Sequence, residues 1–312
     1  MTPAPVVQKL VAANNKHNGG GSKPEEMQAV LSWLDRFGYF SKPLADWQNI
    51  SIGDIVDAVR TWQKRYHLKV DGYLGPKSLR AITAARCGCP DILQPKRKDH
   101  VRFMQAKALA GNLQKWNKGK LTYYIKSRVG GIKPADFDRV IDAAFQAWED
   151  LCMLQVERTS KASTADIIVD TGQGPGSDFD GPGGTLAWAY LPDGQDRQLL
   201  MRFDLGDTWI LTPQERGILL FNVACHEIGH LLGLDHSKIE SALMAPYYNV
   251  AIAVPQAKDD VPRIQARYGK RVDAPPVVPP LPPGGSGGGD GSRFTLTCSE
   301  LVVEGYTLFA KP

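Results

Sequence analysis

Apolar positions recur at helical spacing in the first third of the chain. Met27, Val30, Leu31 and Leu34 fall on one face, Ile55, Val56, Val59, Trp62 and Tyr66 on another, and Leu79, Ile82 and Thr83 suit a third helix. Between the last two, Val70-Asp71-Gly72-Tyr73-Leu74-Gly75-Pro76 carries the Asp-Gly and Gly-Pro pairs of tight turns. The pattern predicts a small three-helix domain over 24–85, preceded by a polar, Gly-rich flexible tail over 1–23. Residues 86–110 read as a connector with Pro90, Pro95 and the cluster Lys96-Arg97-Lys98. From 111 to 270 the periods mix. Leu121 to Ile125 reads as a strand, Asp136 to Leu151 as an amphipathic helix with Phe137, Ile141, Phe145 and Trp148 inward, and Ala165 to Val169 as a buried strand. A Gly-rich loop (172–184) leads to short strands near Leu186–Leu191 and Leu199–Phe203. Thr212-Pro213-Gln214-Glu215 offers a capping box with Pro at the first helical position, so a helix is expected from Thr212. Val261 to Tyr268 reads as a final helix, and the order of elements predicts an α+β domain. A Pro/Gly-rich linker (271–293) separates this domain from a short tail (294–312).

Composition narrows the classes. With 43% hydrophobic and 22% charged residues the chain is globular in type, not disordered. The net charge of +4 hides an uneven spread: Arg86 to Gly130 holds eleven basic residues against two acidic. No nucleic-acid motif accompanies them, so no nucleic-acid partner is expected and the stretch reads as a solvated connector. No apolar run approaches the ~18 residues of a membrane span. Met1 to Gly21 has no basic region followed by an apolar core, so no ordinary signal peptide is visible. Five cysteines, an odd and sparse count, exclude a disulfide scaffold. Histidine is scarce as well: of six, three lie between 226 and 236.

Those three stand in His226-Glu227-Ile228-Gly229-His230-Leu231-Leu232-Gly233-Leu234-Asp235-His236. His226 and His230 are four apart and share one helix face, where two imidazoles can hold one zinc ion. Gly233 can take the left-handed conformation that ends a helix, and the returning chain brings His236 as a third ligand. Three protein ligands leave a fourth position for water, the pattern of a catalytic zinc. Zinc lowers the pKa of water from about 15.7 toward about 7, and Glu227 is placed to take its proton and later deliver it to a leaving amine.

The extended motif resembles that of the metzincins, and Ser241-Ala242-Leu243-Met244-Ala245-Pro246 resembles their methionine turn, with Met244 beneath the zinc. Within that clan the chain, from about 50 to 270, resembles the matrixins, the matrix metalloproteinases. The likeness is carried by Ser237 after His236, by Pro246-Tyr247-Tyr248, by Asp259 to Gly269 as a closing helix, and by Phe179-Asp180-Gly181-Pro182-Gly183-Gly184 as a calcium loop. Trp62-Gln63-Lys64 through Gly72 and Gly75 resembles a peptidoglycan-binding-like prodomain. Arg86-Cys87-Gly88-Cys89-Pro90-Asp91 is similar to the matrixin cysteine switch.

The resemblance implies a metzincin catalytic domain over 111–270, with a twisted, mostly parallel sheet and long helices, made as a latent zymogen that cleaves protein substrates outside the cell. It implies that Cys87 fills the fourth zinc position until residues up to about 110 are removed, with Arg86 and Asp91 bracing the switch, and that Pro246 and Tyr248 wall a substrate pocket. It also implies calcium on Asp180, Asp204 and Asp207 with carbonyls at Gly181, Gly183 and Thr185. One departure carries a negative expectation: the family's second, structural zinc is held by histidines where this chain has Trp188 and Arg202, so that zinc is expected to be absent and the two side chains to fill its place. Ala85 replaces the usual proline, and Cys89 is an extra thiol. The alternative is a wall-associated protein whose 24–85 domain binds peptidoglycan or another glycan; a dead enzyme is argued against by the intact Glu227 and histidines.

Overall fold

The first helix, α1 (Pro5–Asn18), forms where the sequence suggested a loose tail. Val7, Leu10 and Val11 are buried at helical spacing, a short stripe that the surrounding polar residues obscured. Asn14 locks the helix onto the domain, since its side chain accepts from the Leu74 amide (2.8 Å) and donates to the Leu74 carbonyl (3.1 Å). The computed structural model describes residues 5–40, 50–75, 78, 82–92, 115–174 and 179–271. The Lys96-Arg97-Lys98 cluster, the linker and tail beyond 271 and much of the third helix anticipated around Leu79 lie outside these.

Helix α2 (Pro24–Arg36) buries Met27, Val30, Leu31 and Leu34. Helix α3 (Ile52–Arg65) starts at Ser51, whose hydroxyl accepts from the Asp54 amide while Asp54 returns a bond to the Ser51 amide. Gln63, 2% exposed, builds the following turn: its amide oxygen accepts from Asp71 and Gly72 and its nitrogen donates to the Tyr73 carbonyl. Gly72 sits at φ +82°, as such a turn requires.

The second domain is a six-stranded sheet covered by helices. Its strands are β1 (Arg86–Cys87), β2 (Lys120–Ile125), β3 (Gln155–Arg158), β4 (Ile167–Gly172), β5 (Thr185–Ala189) and β6 (Leu199–Asp204), in the order β1-β5-β6-β4-β2-β3. All pairings are parallel except β5 with β6. Helix α4 (Pro134–Glu149) packs Phe137, Ile141, Phe145 and Trp148 inward, and the Trp148 indole donates to the Cys225 carbonyl (2.8 Å). Helix α5 (Leu220–Leu231) is buried along its whole length, so it is apolar on all sides except where the site needs otherwise. Helix α6 (Asp260–Tyr268) closes the domain.

Helix α5 begins eight residues later than the capping signal at Thr212 suggested. Strands β7 (Trp209–Ile210) and β8 (Ile218–Leu219) pair in parallel, which bends 212–217 into a turn. Thr212 spends its hydroxyl on the Glu215 carboxylate (2.8 Å) instead of on a helix amide. At Gly217 a Cβ would meet the Thr208 carbonyl, so the chain crosses itself where a helix was expected.

Candidate metal centre

Helix α5 presents His226 and His230 on one face, and Gly233 at φ +93° ends it. The Gly233 amide donates to the His230 carbonyl (2.8 Å) and the Leu234 amide to that of Gly229 (2.9 Å), turning the chain back to bring His236 alongside. One ligand atom from each of Cys87, His226, His230 and His236 lies within 4.8 Å of the others, and all four residues are buried. The Nε2 atoms of His226 and His230 are 3.2 Å apart, and Cys87 Sγ is 3.4 Å from His230 Nε2.

The outer nitrogens explain the aim of the inner ones. His226 Nδ1 bonds the Leu243 carbonyl and His230 Nδ1 the Leu234 carbonyl, both at 2.7 Å, while His236 Nδ1 bonds Asp91 Oδ1 at 2.9 Å. Each bond places the ring proton outside and leaves the Nε2 lone pair facing the centre. Burial pushes His226 down to about 3 and His230 well below its usual value, so the rings are neutral and ready for a cation. His236 Nε2 and both Glu227 oxygens are buried with no hydrogen-bond partner among the described residues. Burial, then the neighbouring Cys87 thiol, raises Glu227 well above the carboxylate range. Three neutral nitrogens, one sulfur and an unpartnered carboxylate fit a tetrahedral zinc with an adjacent base.

Met244 is fully buried beneath α5, and a Cβ on Gly229 would run into its sulfur. The turn is pinned by Asp260, whose carboxylate accepts from the amides of Leu243 (2.7 Å), Met244 (3.1 Å) and Gln256 (2.7 Å). The sequence placed Asp260 in the closing helix but gave no sign of this task.

The segment around Cys87 adds to the sheet edge as β1. Arg86 and Gly88 amides donate to the carbonyls of Gly184 and Ala187, and the Cys87 amide donates to Pro246 (2.9 Å) on the other side. The Tyr248 amide donates to Ala85 in turn, so the segment is clamped between β5 and the Pro246–Tyr248 wall. Tyr248 also accepts from the Leu219 amide through its hydroxyl (2.9 Å). Beside this wall lies a cavity of about 30 Å³, lined by Val223, His226, Glu227, Leu243, Tyr248 and also Asn222. Asn222 donates to the Asn249 and Val250 carbonyls and tethers the wall to α5, a role the sequence did not signal.

Arg86 is 1% exposed and paired with Asp91 at 2.6 Å. Its guanidinium lies 3.5 Å from the Phe37 ring centroid and donates through Nε to the Cys87 carbonyl. Burial alone would raise the Asp91 carboxyl, but Arg86 and His236 outweigh it and hold it well below the carboxylate range. The hydroxyls of Tyr39 and Tyr66 both donate to Asp91 Oδ2 at 2.7 Å, a contribution of the helical domain that sequence reading missed. Cys89 is buried, its amide 3.3 Å from Cys87 Sγ and its own thiol donating to the Ala189 carbonyl.

An acidic cluster lies where the loop before β5 meets the turn after β6. Asp180 accepts from the Thr185 amide, Asp204 from Gly206 and Asp207 from Gly183, each at 2.7 Å. Gly181 and Gly183 sit at φ +98° and +79°. One oxygen each of Asp204 and Asp207 is buried without a hydrogen-bond partner among the described residues. Trp188 and Arg202 face one another across β5 and β6, the guanidinium 5.5 Å from the indole and bonded to Asp170 at 3.0 Å.

A two-histidine helix, a third histidine past its glycine end and a methionine turn beneath them define a metzincin. Residues 115–269 match the family model described as Matrixin, and 23–82 match that of a putative peptidoglycan binding domain. The chain is similar to interstitial collagenase of Oryctolagus cuniculus, at 34% identity over 84% of this chain and 53% of that one. It is also similar to macrophage metalloelastase of Rattus norvegicus (34%, 73% of this chain and 46% of that one) and to matrix metalloproteinase-16 of Homo sapiens (32%, 83% and 44%). Residues 115–269 belong to the matrixin family, with a domain of the peptidoglycan-binding type ahead of them. The chain spans about half the length of these relatives.

Proposed function

We propose that this chain is a zinc-dependent metalloendopeptidase held latent by its own N-terminal domain, acting on proteins outside the cell. The observation that carries this is the convergence of Cys87, His226, His230 and His236 within 4.8 Å beside an unpartnered Glu227. His226, His230 and His236 would hold the zinc, with Cys87 as the fourth ligand in the latent form. When bound, zinc supplies Lewis acidity and an acidified water. Glu227 accepts the proton of the attacking water on its free carboxylate and delivers it to the leaving amine. The β5 edge and the Pro246–Tyr248 wall position an extended peptide, and β1 covers that same edge while the switch is docked.

Calcium on Asp180, Asp204 and Asp207 is part of the same reading. Burial, with the repulsion of Asp204 and Asp180 added to it, raises Asp207 to about 6, a penalty that a divalent cation would offset. The Trp188–Arg202 pair supports the reading that a structural zinc has been replaced by packing. No helix among the described residues is long and apolar enough to cross a membrane.

The test is casein hydrolysis by the full chain before and after a thiol-reactive mercurial. Activity that rises on treatment, and that an E227A chain lacks while keeping one equivalent of zinc, is the expected result. Hydrolysis that survives in E227A would overturn the mechanism.

A further inference from the structure

The outer hydrogen bonds of the three histidines are not alike. Those of His226 and His230 go to carbonyls of their own domain, Leu243 and Leu234. That of His236 goes to Asp91, in the segment that activation removes, and both side chains are fully buried. Arg65 of α3 also reaches the His236 carbonyl, at 3.5 Å. Among the described residues His236 Nδ1 has no other acceptor. A carboxylate on the outer nitrogen does more than a carbonyl: it fixes the tautomer and, being charged, makes the inner nitrogen a stronger donor.

Asp91 is itself held in place. Oδ1 takes Arg86 and His236, and Oδ2 takes Tyr39, Tyr66 and the second Arg86 nitrogen (3.3 Å). Its amide donates to the Phe37 carbonyl at the end of α2. The folded helical domain therefore sets the carboxylate against the zinc ligand.

We infer that Asp91 is a positioning residue for His236, so that the N-terminal domain tightens the metal centre by a route separate from the Cys87 thiol. This rests on the reading that the centre holds zinc. Losing the N-terminal domain then removes two supports at once, one ligand and one outer carboxylate, and the mature centre holds its zinc less tightly than the latent one by more than the thiol accounts for.

The test is zinc release from the full-length chain to an excess of chromogenic chelator, in a C87A background where the thiol contributes nothing. Within it, R86A breaks the brace but keeps the Asp91–His236 bond, while D91A breaks both. D91A should release zinc faster than the C87A parent by about 10- to 100-fold, the usual effect of removing an outer carboxylate, and R86A much less. D91N, which keeps the shape and an acceptor without the charge, should fall between. The visible spectrum of the cobalt-substituted chain should change in D91A and not in R86A. Equal acceleration by R86A and D91A, or none by either, would overturn the inference and leave Asp91 a brace for the switch. If the C87A parent binds no equivalent of zinc, the metal-centre reading itself falls, an outcome distinct from unchanged release.

Discussion

The histidine cluster and the acidic loop both collect buried atoms that make no hydrogen bond among the described residues, but burial acts on the imidazoles and on the loop carboxylates in opposite directions. It drives His226 to about 3 and so leaves a neutral ring with a free lone pair. It lifts Asp207 to about 6, where Asp204 and Asp180 add their repulsion. The nitrogen site is set before any cation arrives, because its outer bonds orient neutral groups at little desolvation cost. The oxygen site gathers carboxylates whose charges resist being gathered, and on the proposed calcium reading a cation would settle them. On the proposed reading the first would serve chemistry and the second ligand-dependent stiffness.

The largest test of the first half is E227A. Removing the base should lower turnover by about 10²- to 10⁴-fold while zinc content, read by metal analysis, stays at the parent value. If zinc were lost as well, Glu227 would be part of the scaffold and the distinction between ligands and base would fail. Next is C87S, which takes the sulfur donor from the centre. The full-length chain should then cleave casein without mercurial treatment, and a chain that stays inert would show that covering the β5 edge is sufficient for latency.

G88A tests the clamp by sterics alone. A Cβ there would lie 2.5 Å from the Thr185 methyl and 3.3 Å from the Ala187 carbonyl. Overpacking of that kind costs about 1–3 kcal/mol, which corresponds to roughly 5- to 150-fold more undocked chain. Untreated activity should rise accordingly, with the activity of the processed enzyme unchanged.

How much of this was legible depended on the range of the interactions. The convergence of the three histidines was readable because helix geometry sets His226 against His230 and Gly233 returns the chain to His236, all within one local segment. The helices built on Met27 and Ile55 were readable from a strict period. Helix α1 was missed because its stripe is narrow and rests on Asn14 meeting Leu74, sixty residues on. The start of α5 was misjudged because a local capping signal lost to the β7–β8 pairing. Tyr39, Tyr66 and Asp260 were invisible for the same reason: their partners come from distant segments, and no period marks a hydroxyl or carboxylate for that use.

The smallest effect expected belongs to the acidic loop, and it changes sign. Without calcium, the Asp207 carboxyl is raised above the unfolded value of about 3.9. Its contribution to stability is fully present below that pH and is lost as the pH rises through about 6. Calcium reverses this, since it binds the ionised form, so the rise in Tm on adding calcium should be larger at pH 7.5 than at pH 5. D207N sharpens the point. Its amide oxygen can still accept from Gly183, as Asp207 does at 2.7 Å, but it carries no charge into the cluster. At pH 7.5 in a calcium-selective chelator D207N should melt above the parent by roughly 2–4 °C, the shift that ~1 kcal/mol gives a domain of this size. In saturating calcium it should melt below the parent, having lost a ligand. If D207N melted below the parent in both conditions, the carboxylate would be a structural acceptor, and the contrast between a preset nitrogen site and a cation-dependent oxygen site would fail at that residue.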